Sequence, residues 1–336
     1  MEYKDISIKK RLSSANSNMI DILRIVATYL VLIGHGISAF EFPIAGQRGN
    51  VIQNSGVVWL FLLSGFLTAY SLENKAANEE FCYKSYVKKR FTRIYRELLP
   101  ALMFIALIDN IGIYIFKEYP YHGNTDIITF IGNLLMTHGT PLSLCQIKPF
   151  GTGRPLWTLP VQWWLYLLYG KLFFIVKKKN KIDYKELLFL GICVIVPVFY
   201  LIDIRNLPVI FLAGVLVYYI YDFIIINNIF LLTVVIFSLG VTVSIILKEA
   251  YNLYACTLYM VSFALLMAYG KNREIKSNKV LKKLANITFL IYLTHYSIMI
   301  FIDKFDINRV SKLCWLTVIS SAVAWCLYKL VYFKNE

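Results

Sequence analysis

The chain has 336 residues, of which 58% are hydrophobic and only 16% are charged, and its mean hydropathy is +0.59. A soluble globular protein of this length needs more surface charge, so the composition argues against that class and indicates a polytopic membrane protein. The net charge of +15 does not indicate nucleic-acid binding, because the lysines and arginines stand between apolar runs.

Ten segments reach the roughly 20 mostly apolar residues that a membrane span requires. We therefore predict an all-α transmembrane bundle over residues 19–333, with a cytoplasmic segment at 1–18 and a tail at 334–336. The N-terminal segment carries no cleavable signal peptide, so the first span is expected to be retained. The predicted spans are 19–40, 51–72, 97–116, 157–176, 186–203, 207–226, 229–247, 253–270, 285–303 and 313–333.

The distribution of lysine and arginine predicts the orientation of these spans. If the N-terminus is cytoplasmic, the inside segments hold 23 Lys and Arg, while the outside segments hold nine. Cytoplasmic loops are enriched in these residues, so both termini are predicted to be cytoplasmic. The apolar stretch 128–137 is too short to cross and is predicted to lie at the interface or to re-enter.

The first span, DILRIVATYLVLIGHGISAF, contains three ionisable residues. Arg24 and His35 are eleven residues apart, which places them on one helix face and separates them by roughly 16 Å along the axis. Asp21 precedes Arg24 by three residues, a spacing that permits an ion pair. An interfacial ion pair and a structural histidine would also explain the pattern, but ionisable groups inside a membrane are usually functional.

The second span contains Ser64 and Gly65 at its centre, where small residues allow close helix packing. The following segment ends in YVKKRFTRIYRELLP, with Arg90 and Arg93 at the mouth of the third span. A helix here would present guanidinium groups suited to phosphate oxygens. Ordinary positive-inside anchoring or contact with anionic lipid explains the adjacent lysines equally well.

Two later segments also carry polar residues within apolar runs. PLWTLPVQWWLYLLYG at 155–170 contains Trp157, Gln162 and Tyr166, and NITFLIYLTHYSI at 286–298 contains Tyr292 and His295. Aromatic residues near the outer interface need no special function. The amide and the second intramembrane histidine are less readily explained by packing.

The remaining histidines and the cysteines give no sign of a metal site. His122 and His138 fall in the predicted outer loop and are expected to be ordinary. The six cysteines include no C-x-x-C pair, and most lie in apolar runs, so we predict no disulfide framework and no metal.

These segments, in this order, resemble the membrane acyltransferase 3 family over about residues 19–333. The family pattern has an early Asp and Arg with a His eleven residues after the Arg, then SGF, then R-x-x-R before a proline. A W-[ST]-L-x-x-E-x-x-[FY]-Y segment and a [ST]-[YF]-x-x-Y-L-x-H segment follow. The matching residues are Asp21, Arg24, His35, Ser64, Gly65, Phe66, Arg90, Arg93, Pro100, Trp157, Thr158, Leu159, Gln162, Tyr166, Thr288, Phe289, Tyr292, Leu293 and His295.

The resemblance implies an enzyme of the bacterial cytoplasmic membrane that moves an acyl group, usually acetyl from acetyl-CoA, to a hydroxyl of a cell-surface polysaccharide or its lipid-linked precursor. It implies that Arg24, Arg90 and Arg93 bind coenzyme A phosphates. His35 would be catalytic, either as a general base or as an acyl carrier, and the other matched polar residues would support the site. The expected partners are acyl-CoA, a glycan acceptor, membrane lipid and polysaccharide-biosynthesis proteins, with no nucleic acid.

Gln162 departs from the family pattern, which has glutamate at this position. An amide forms hydrogen bonds but cannot ionise, so an altered acceptor preference, a structural role and a loss of activity remain open. Two alternative functions also remain: O-succinyl transfer to an exopolysaccharide, and transport of a polysaccharide or small molecule.

Overall fold

The computed structural model describes residues 11–43, 46–76, 78, 80–116, 119, 125–143, 146–178, 182–203 and 205–333. His122, Cys145, the first ten residues of the predicted cytoplasmic segment and the predicted tail 334–336 lie outside these ranges.

Eleven α-helices and no strand occur in the described residues, which confirms the prediction of an all-α polytopic bundle. Nine of these helices are long and apolar enough to cross a membrane. In chain order the helices are α1 (Ser14–Ala39), α2 (Gly46–Ala76), α3 (Tyr83–Ile115), α4 (Ile127–Leu134), α5 (Thr158–Lys178), α6 (Tyr184–Ile202), α7 (Leu207–Ile220), α8 (Ile229–Ile246), α9 (Leu253–Gly270), α10 (Lys279–Asp303) and α11 (Arg309–Tyr332).

Two helices differ from the predicted spans. The predicted span 207–226 is a shorter helix, α7, which tightens into a 3₁₀ turn at Tyr221–Phe223. The helix α3 begins at Tyr83, well before the predicted start at residue 97, and continues through Pro100. The basic run 84–96 is therefore helical, which hydropathy alone could not indicate because charge ends an apolar window without ending a helix.

The helix α10 is the most buried of the spanning helices and packs against α1, α3 and α11. The helices α1 and α2 pack together, and α2 also packs against α7. The α2–α7 contact depends on glycine: a Cβ at Gly65 would overlap the carbonyl oxygen of Phe211, and one at Gly214 would overlap that of Leu62. Close backbone approach through small residues is typical of helix packing in membranes.

The inner end of the bundle, predicted to be cytoplasmic, contains both the start of α1 and the end of α11. Ser13 donates a hydrogen bond to the carbonyl oxygen of Gly270, 2.6 Å away, and the Arg96 guanidinium lies 4.8 Å from the ring centroid of Tyr332. Ser14 also donates to Glu274 in the segment that leads into α10, and Asn286 near the start of α10 donates to Tyr328 near the end of α11. The start of α1 and the end of α11 therefore lie at the same end of the bundle. At the opposite, outer end, Lys312 pairs with Asp303 at 2.9 Å.

The stretch predicted to lie at the interface or re-enter forms α4, an eight-residue helix capped by the Asp126 side chain, which accepts a hydrogen bond from the amide of Thr129. Tyr95 of α3 donates a hydrogen bond to the carbonyl oxygen of Leu134 at its end. The helix is too short to cross a bilayer.

We predict that Gly65→Ala lowers the melting temperature in detergent, because the added methyl group forces α2 and α7 apart at a cost of about 1–3 kcal/mol. The matched control is Gly191→Ala in α6, where an added Cβ meets no atom within 4 Å. That variant should match or exceed the wild type, because alanine favours the helix. Equal melting temperatures for both variants would contradict the predicted close packing.

Candidate functional site

A cavity of about 440 Å³ opens near the inner end, between α1, α2, α3, α5, α10 and α11. Its volume lies in the range of small-molecule binding sites. We call it the inner cavity; its polar lining is Arg24, Thr28, Ser64, Arg90, Arg93, Glu97, Thr158, Gln162, Tyr166, Asn286, Thr288, Tyr292, Tyr328 and Tyr332.

The three arginines predicted to act together all line this cavity. Arg24 pairs with Asp21 at 3.7 Å, so the predicted ion pair on α1 is present. Arg93 is exposed and marks the mouth together with the exposed Asn286. Because α1 is one uninterrupted helix, Arg24 and His35 keep the predicted separation of roughly 16 Å.

Arg90 is the most buried of the three arginines, at 8% exposure. Its guanidinium lies 4.7 Å from the ring centroid of Tyr166 and 5.4 Å from that of Tyr86, and it donates a hydrogen bond to Thr68 at 3.3 Å. No ion pair of Arg90 with a carboxylate occurs within the described part of the chain. A buried cation held by aromatic faces, with its charge uncompensated, favours an anionic ligand.

Glu97 is the one carboxylate in the lining of the inner cavity as described. One of its oxygens accepts a hydrogen bond from Tyr332 at 3.0 Å, and the other is buried without a partner among the described residues. It lies four residues after Arg93, and therefore on the same face of α3. With three arginines against one glutamate, the inner cavity is positively charged overall.

Gln162 belongs to a network of hydrogen bonds at the wall of the inner cavity. Its amide nitrogen donates to Ser64 at 3.0 Å and to Tyr166 at 2.7 Å, and the two hydroxyls lie 2.6 Å apart. Both amide hydrogens of Gln162 are donated, so one of the two hydroxyls donates its hydrogen to the other. The second hydroxyl keeps its hydrogen free to donate to another group. A glutamate at this position would accept the hydrogens of both hydroxyls, and no hydroxyl hydrogen would remain free. The glutamine therefore adds one hydrogen-bond donor to this wall of the inner cavity.

The other predicted supporting residues divide between the cavity and the scaffold. Tyr292 lines the cavity, and its hydroxyl lies 2.9 Å from that of Thr158. Trp157 is not part of the lining; it stacks on Tyr200 and accepts a hydrogen bond from that residue at its carbonyl oxygen. Gly65 acts in the α2–α7 contact described above.

His35 lies outside the lining of the inner cavity and is packed against α10. Its ring centroid lies 5.4 Å from that of His295 and 5.1 Å from that of Tyr296, which meets it edge-on. His295 is fully buried, and its Nδ1 is bonded to the carbonyl oxygens of Ile291 and Tyr292 at 3.0 and 2.9 Å. Since carbonyls only accept, Nδ1 carries a hydrogen. The Nε2 atom is buried and has no partner among the described residues, and in the neutral form of the ring it is an acceptor.

A second cavity, of about 300 Å³, lies on the outer side and is lined by Lys148, Pro149, Gly151, Thr152, Arg154 and Tyr296. We call it the outer cavity. On α10, Tyr292 borders the inner cavity and Tyr296 the outer one, and they are one helical turn apart, about 6 Å along the axis. The pair of His35 and His295 lies at the level between them.

His138 has a structural position in the outer loop. Its Nε2 donates to the carbonyl oxygen of Leu156 at 2.9 Å, and burial lowers the pKa of the ring to about 4. A neutral, buried histidine that holds two loop segments together fits the expectation that it is not catalytic.

Glu97, Tyr296 and Arg154 belong to the site but were not predicted from the sequence. The spacing of Glu97 from Arg93 and the position of Tyr296 next to His295 were available signals. Nothing local in the sequence indicates that Arg154, the first residue of a short 3₁₀ helix at Arg154–Trp157, reaches Tyr296 on α10.

The family model described as an acyltransferase domain, of the acyltransferase 3 type, matches residues 18–329, nearly the whole chain. No curated protein and no solved structure gives a significant match.

We predict that inorganic pyrophosphate raises the melting temperature of the wild-type protein, because an anion in the inner cavity would neutralise Arg90. At a concentration 100 times its Kd the stabilisation is about 2.7 kcal/mol. Arg90→Gln should remove most of this shift, whereas the control Lys88→Gln, exposed on the same helix, should retain it. An undiminished shift in Arg90→Gln would show that anions bind elsewhere.

Proposed function

The chain belongs to the acyltransferase 3 family and is a multi-pass membrane acyltransferase, and on that basis we propose that it transfers acetyl from acetyl-CoA to a hydroxyl of a cell-surface polysaccharide or its lipid-linked precursor. The observation that carries this proposal is the pair of cavities on either side of His35 and His295. A donor from the inner side and an acceptor from the outer side would meet at these two rings.

The inner cavity suits a phosphate-bearing donor. Arg93 at the mouth and Arg90 and Arg24 further in supply planar guanidinium groups that bind phosphate oxygens with two hydrogen bonds each. Coenzyme A carries several phosphate charges on its nucleotide end, which would lie at the mouth, while its thioester end would extend along α1 towards His35. Phosphate-binding arginines and a histidine on one helix provide the alignment that such a donor requires.

The arrangement of the two histidines favours His35 as a general base over an acyl carrier. The Nε2 atom of His295 has no partner among the described residues, and the centroids of the two rings are 5.4 Å apart, so a hydrogen bond from His35 to this nitrogen requires only a realignment of the rings. A hydrogen bond donated by one nitrogen of His35 leaves its other nitrogen with a lone pair for the acceptor hydroxyl. His295 is then a positioning residue that fixes the tautomer of His35 and stabilises its protonated form, as the third group does in catalytic triads.

In this scheme His35 removes the hydroxyl proton as the oxygen forms its bond to the acyl carbon. The carbon–sulfur bond breaks, and the proton on His35 passes to the departing sulfur to give the free thiol. Proton transfer of this kind contributes about 10²–10⁴-fold to the rate. The network of Gln162, Ser64 and Tyr166 keeps one hydroxyl hydrogen free. This hydroxyl can donate a hydrogen bond to the acyl-CoA in the inner cavity.

We predict different kinetic effects for residues at the two levels. In a thiol-release assay with protein in lipid nanodiscs, His35→Gln should lower kcat by about 10²–10⁴-fold with little change in KM for acetyl-CoA. Arg93→Gln should raise the KM for acetyl-CoA about tenfold or more, because it removes a charge-assisted hydrogen bond to the donor. The control Lys88→Gln should leave both kcat and KM unchanged. Wild-type activity in His35→Gln would refute the catalytic role. In sealed proteoliposomes, uptake of the acceptor without any thiol release would favour the transporter alternative.

The base and carrier routes differ when the acceptor is withheld. If His35 is a base, mixing the protein with acetyl-CoA alone should release no burst of thiol and leave the intact mass of the protein unchanged. One thiol released per protein, together with an acetylated mass that is lost in His35→Gln, would instead establish His35 as an acyl carrier.

A further inference from the structure

The outer cavity has a charge that the proposed function does not use. Lys148 and Arg154 both line it, although outside segments hold only nine of the 35 lysines and arginines. Both side chains are exposed at its edge. No ion pair of either residue with a carboxylate occurs among the residues that the structure describes.

Arg154 turns towards the histidine pair and not into solvent alone. Its Nη1 donates a hydrogen bond to the hydroxyl of Tyr296 at 3.3 Å, and its guanidinium carbon lies 5.9 Å from the centroid of that ring. The same ring meets His35 edge-on at 5.1 Å. One tyrosine therefore separates the guanidinium from the proposed base.

The loop that carries both cations is held by buried polar side chains at two points. Asp109, fully buried in α3, accepts hydrogen bonds from the amide and the hydroxyl of Thr152 at 2.8 and 2.6 Å. Gly151 adopts a positive φ of 54°, and a Cβ there would overlap the Asp109 carboxylate. Only glycine fits this turn without strain.

The second point is Asn133, at 1% exposure. Its amide nitrogen donates to the carbonyl oxygen of Lys148 at 3.0 Å, and its oxygen accepts from the amide of Phe150 at 3.1 Å. With both ends anchored, the loop presents its two cations in a fixed arrangement, which lowers the entropy lost on binding.

We propose that the outer cavity binds an acidic glycan, through a carboxylate or phosphate on a sugar near the hydroxyl to be acylated. This inference rests on the proposed function and specifies its acceptor. The fork of Arg154 binds the anionic group with two hydrogen bonds and Lys148 adds a second charge. The neighbouring hydroxyl of the glycan then lies against Tyr296, next to His35.

The test measures binding of glycans to the full-length protein in phosphatidylcholine nanodiscs, without acyl donor. The probes are hexagalacturonate, an oligomer of glycerol phosphate and a neutral galactohexaose. We expect at least one anionic probe to bind and the neutral sugar to bind at least tenfold more weakly. The combined Lys148→Gln and Arg154→Gln substitutions should weaken anionic binding at least tenfold, Arg154→Lys should weaken it less, and Arg309→Gln, an exposed outer cation outside the cavity, should leave it unchanged.

Three results would overturn the proposal. The protein could bind neutral and anionic sugars with equal affinity, or bind neither anionic probe. Anionic binding could also be unchanged in the double variant, provided that its melting temperature shows it to be folded like the wild type. The wild-type protein is also measured in nanodiscs that contain phosphatidylglycerol. If this anionic lipid abolishes binding of the anionic glycan, the cavity is a site for a lipid headgroup instead. Because no acyl donor is present, these binding outcomes are independent of catalysis. A protein that binds acidic glycans but never releases thiol would contradict the proposed function and leave the acidic-glycan site supported.

Discussion

A guanidinium group that is taken out of water is stable only if the protein surrounds it with polar groups, aromatic faces or anions. Arg24 and Arg90 impose this requirement on the bundle. The helices α1, α3 and α10 meet so that both arginines face one interior cavity, and apolar faces of α6, α8 and α11 lie outward instead. The inner cavity thus follows from the cost of burying charge, and its positive charge follows from having three arginines and one glutamate in its lining.

The same cost applies to His295, which is completely buried with one ring nitrogen unpartnered among the described residues. Two backbone carbonyls of α10 set the tautomer of this ring, so the structure already determines which nitrogen can accept a hydrogen bond. The neighbouring ring is His35. A buried acceptor next to a second histidine, between two cavities, links the scaffold of α10 to the chemistry that we propose for α1.

Much of the bundle was predictable from hydropathy, because apolar length is a property of local sequence. The orientation inferred from lysine and arginine stays a prediction. The placement of Arg24 and His35 on the same face of α1 likewise followed from helical periodicity. The long extension of α3 was not predictable by this route, since its basic first half is held by packing and not by lipid. The shortness of α7 was also missed, because the apolar sequence continues beyond Ile220 although the α-helix ends there and a 3₁₀ turn follows.

The site itself was only partly accessible from sequence. That Arg24, Arg90 and Arg93 act together was expected, but that Glu97 joins them depends on how α3 and α11 pack. The contact between His35 and His295 joins residues 260 positions apart, and the reach of Arg154 to Tyr296 depends on a loop fixed by Asp109. Such long-range contacts arise from tertiary packing, which no local pattern encodes.

The proposed mechanism requires that the acyl donor and the acceptor meet at His35 from opposite cavities. The most direct measurement is an electron cryomicroscopy structure of the His35→Gln variant with acetyl-CoA bound. We expect phosphate density against Arg90 and Arg93, and the acetyl group beside residue 35 next to Tyr296. Phosphate density outside the inner cavity, or a thioester that ends far from residue 35, would contradict it.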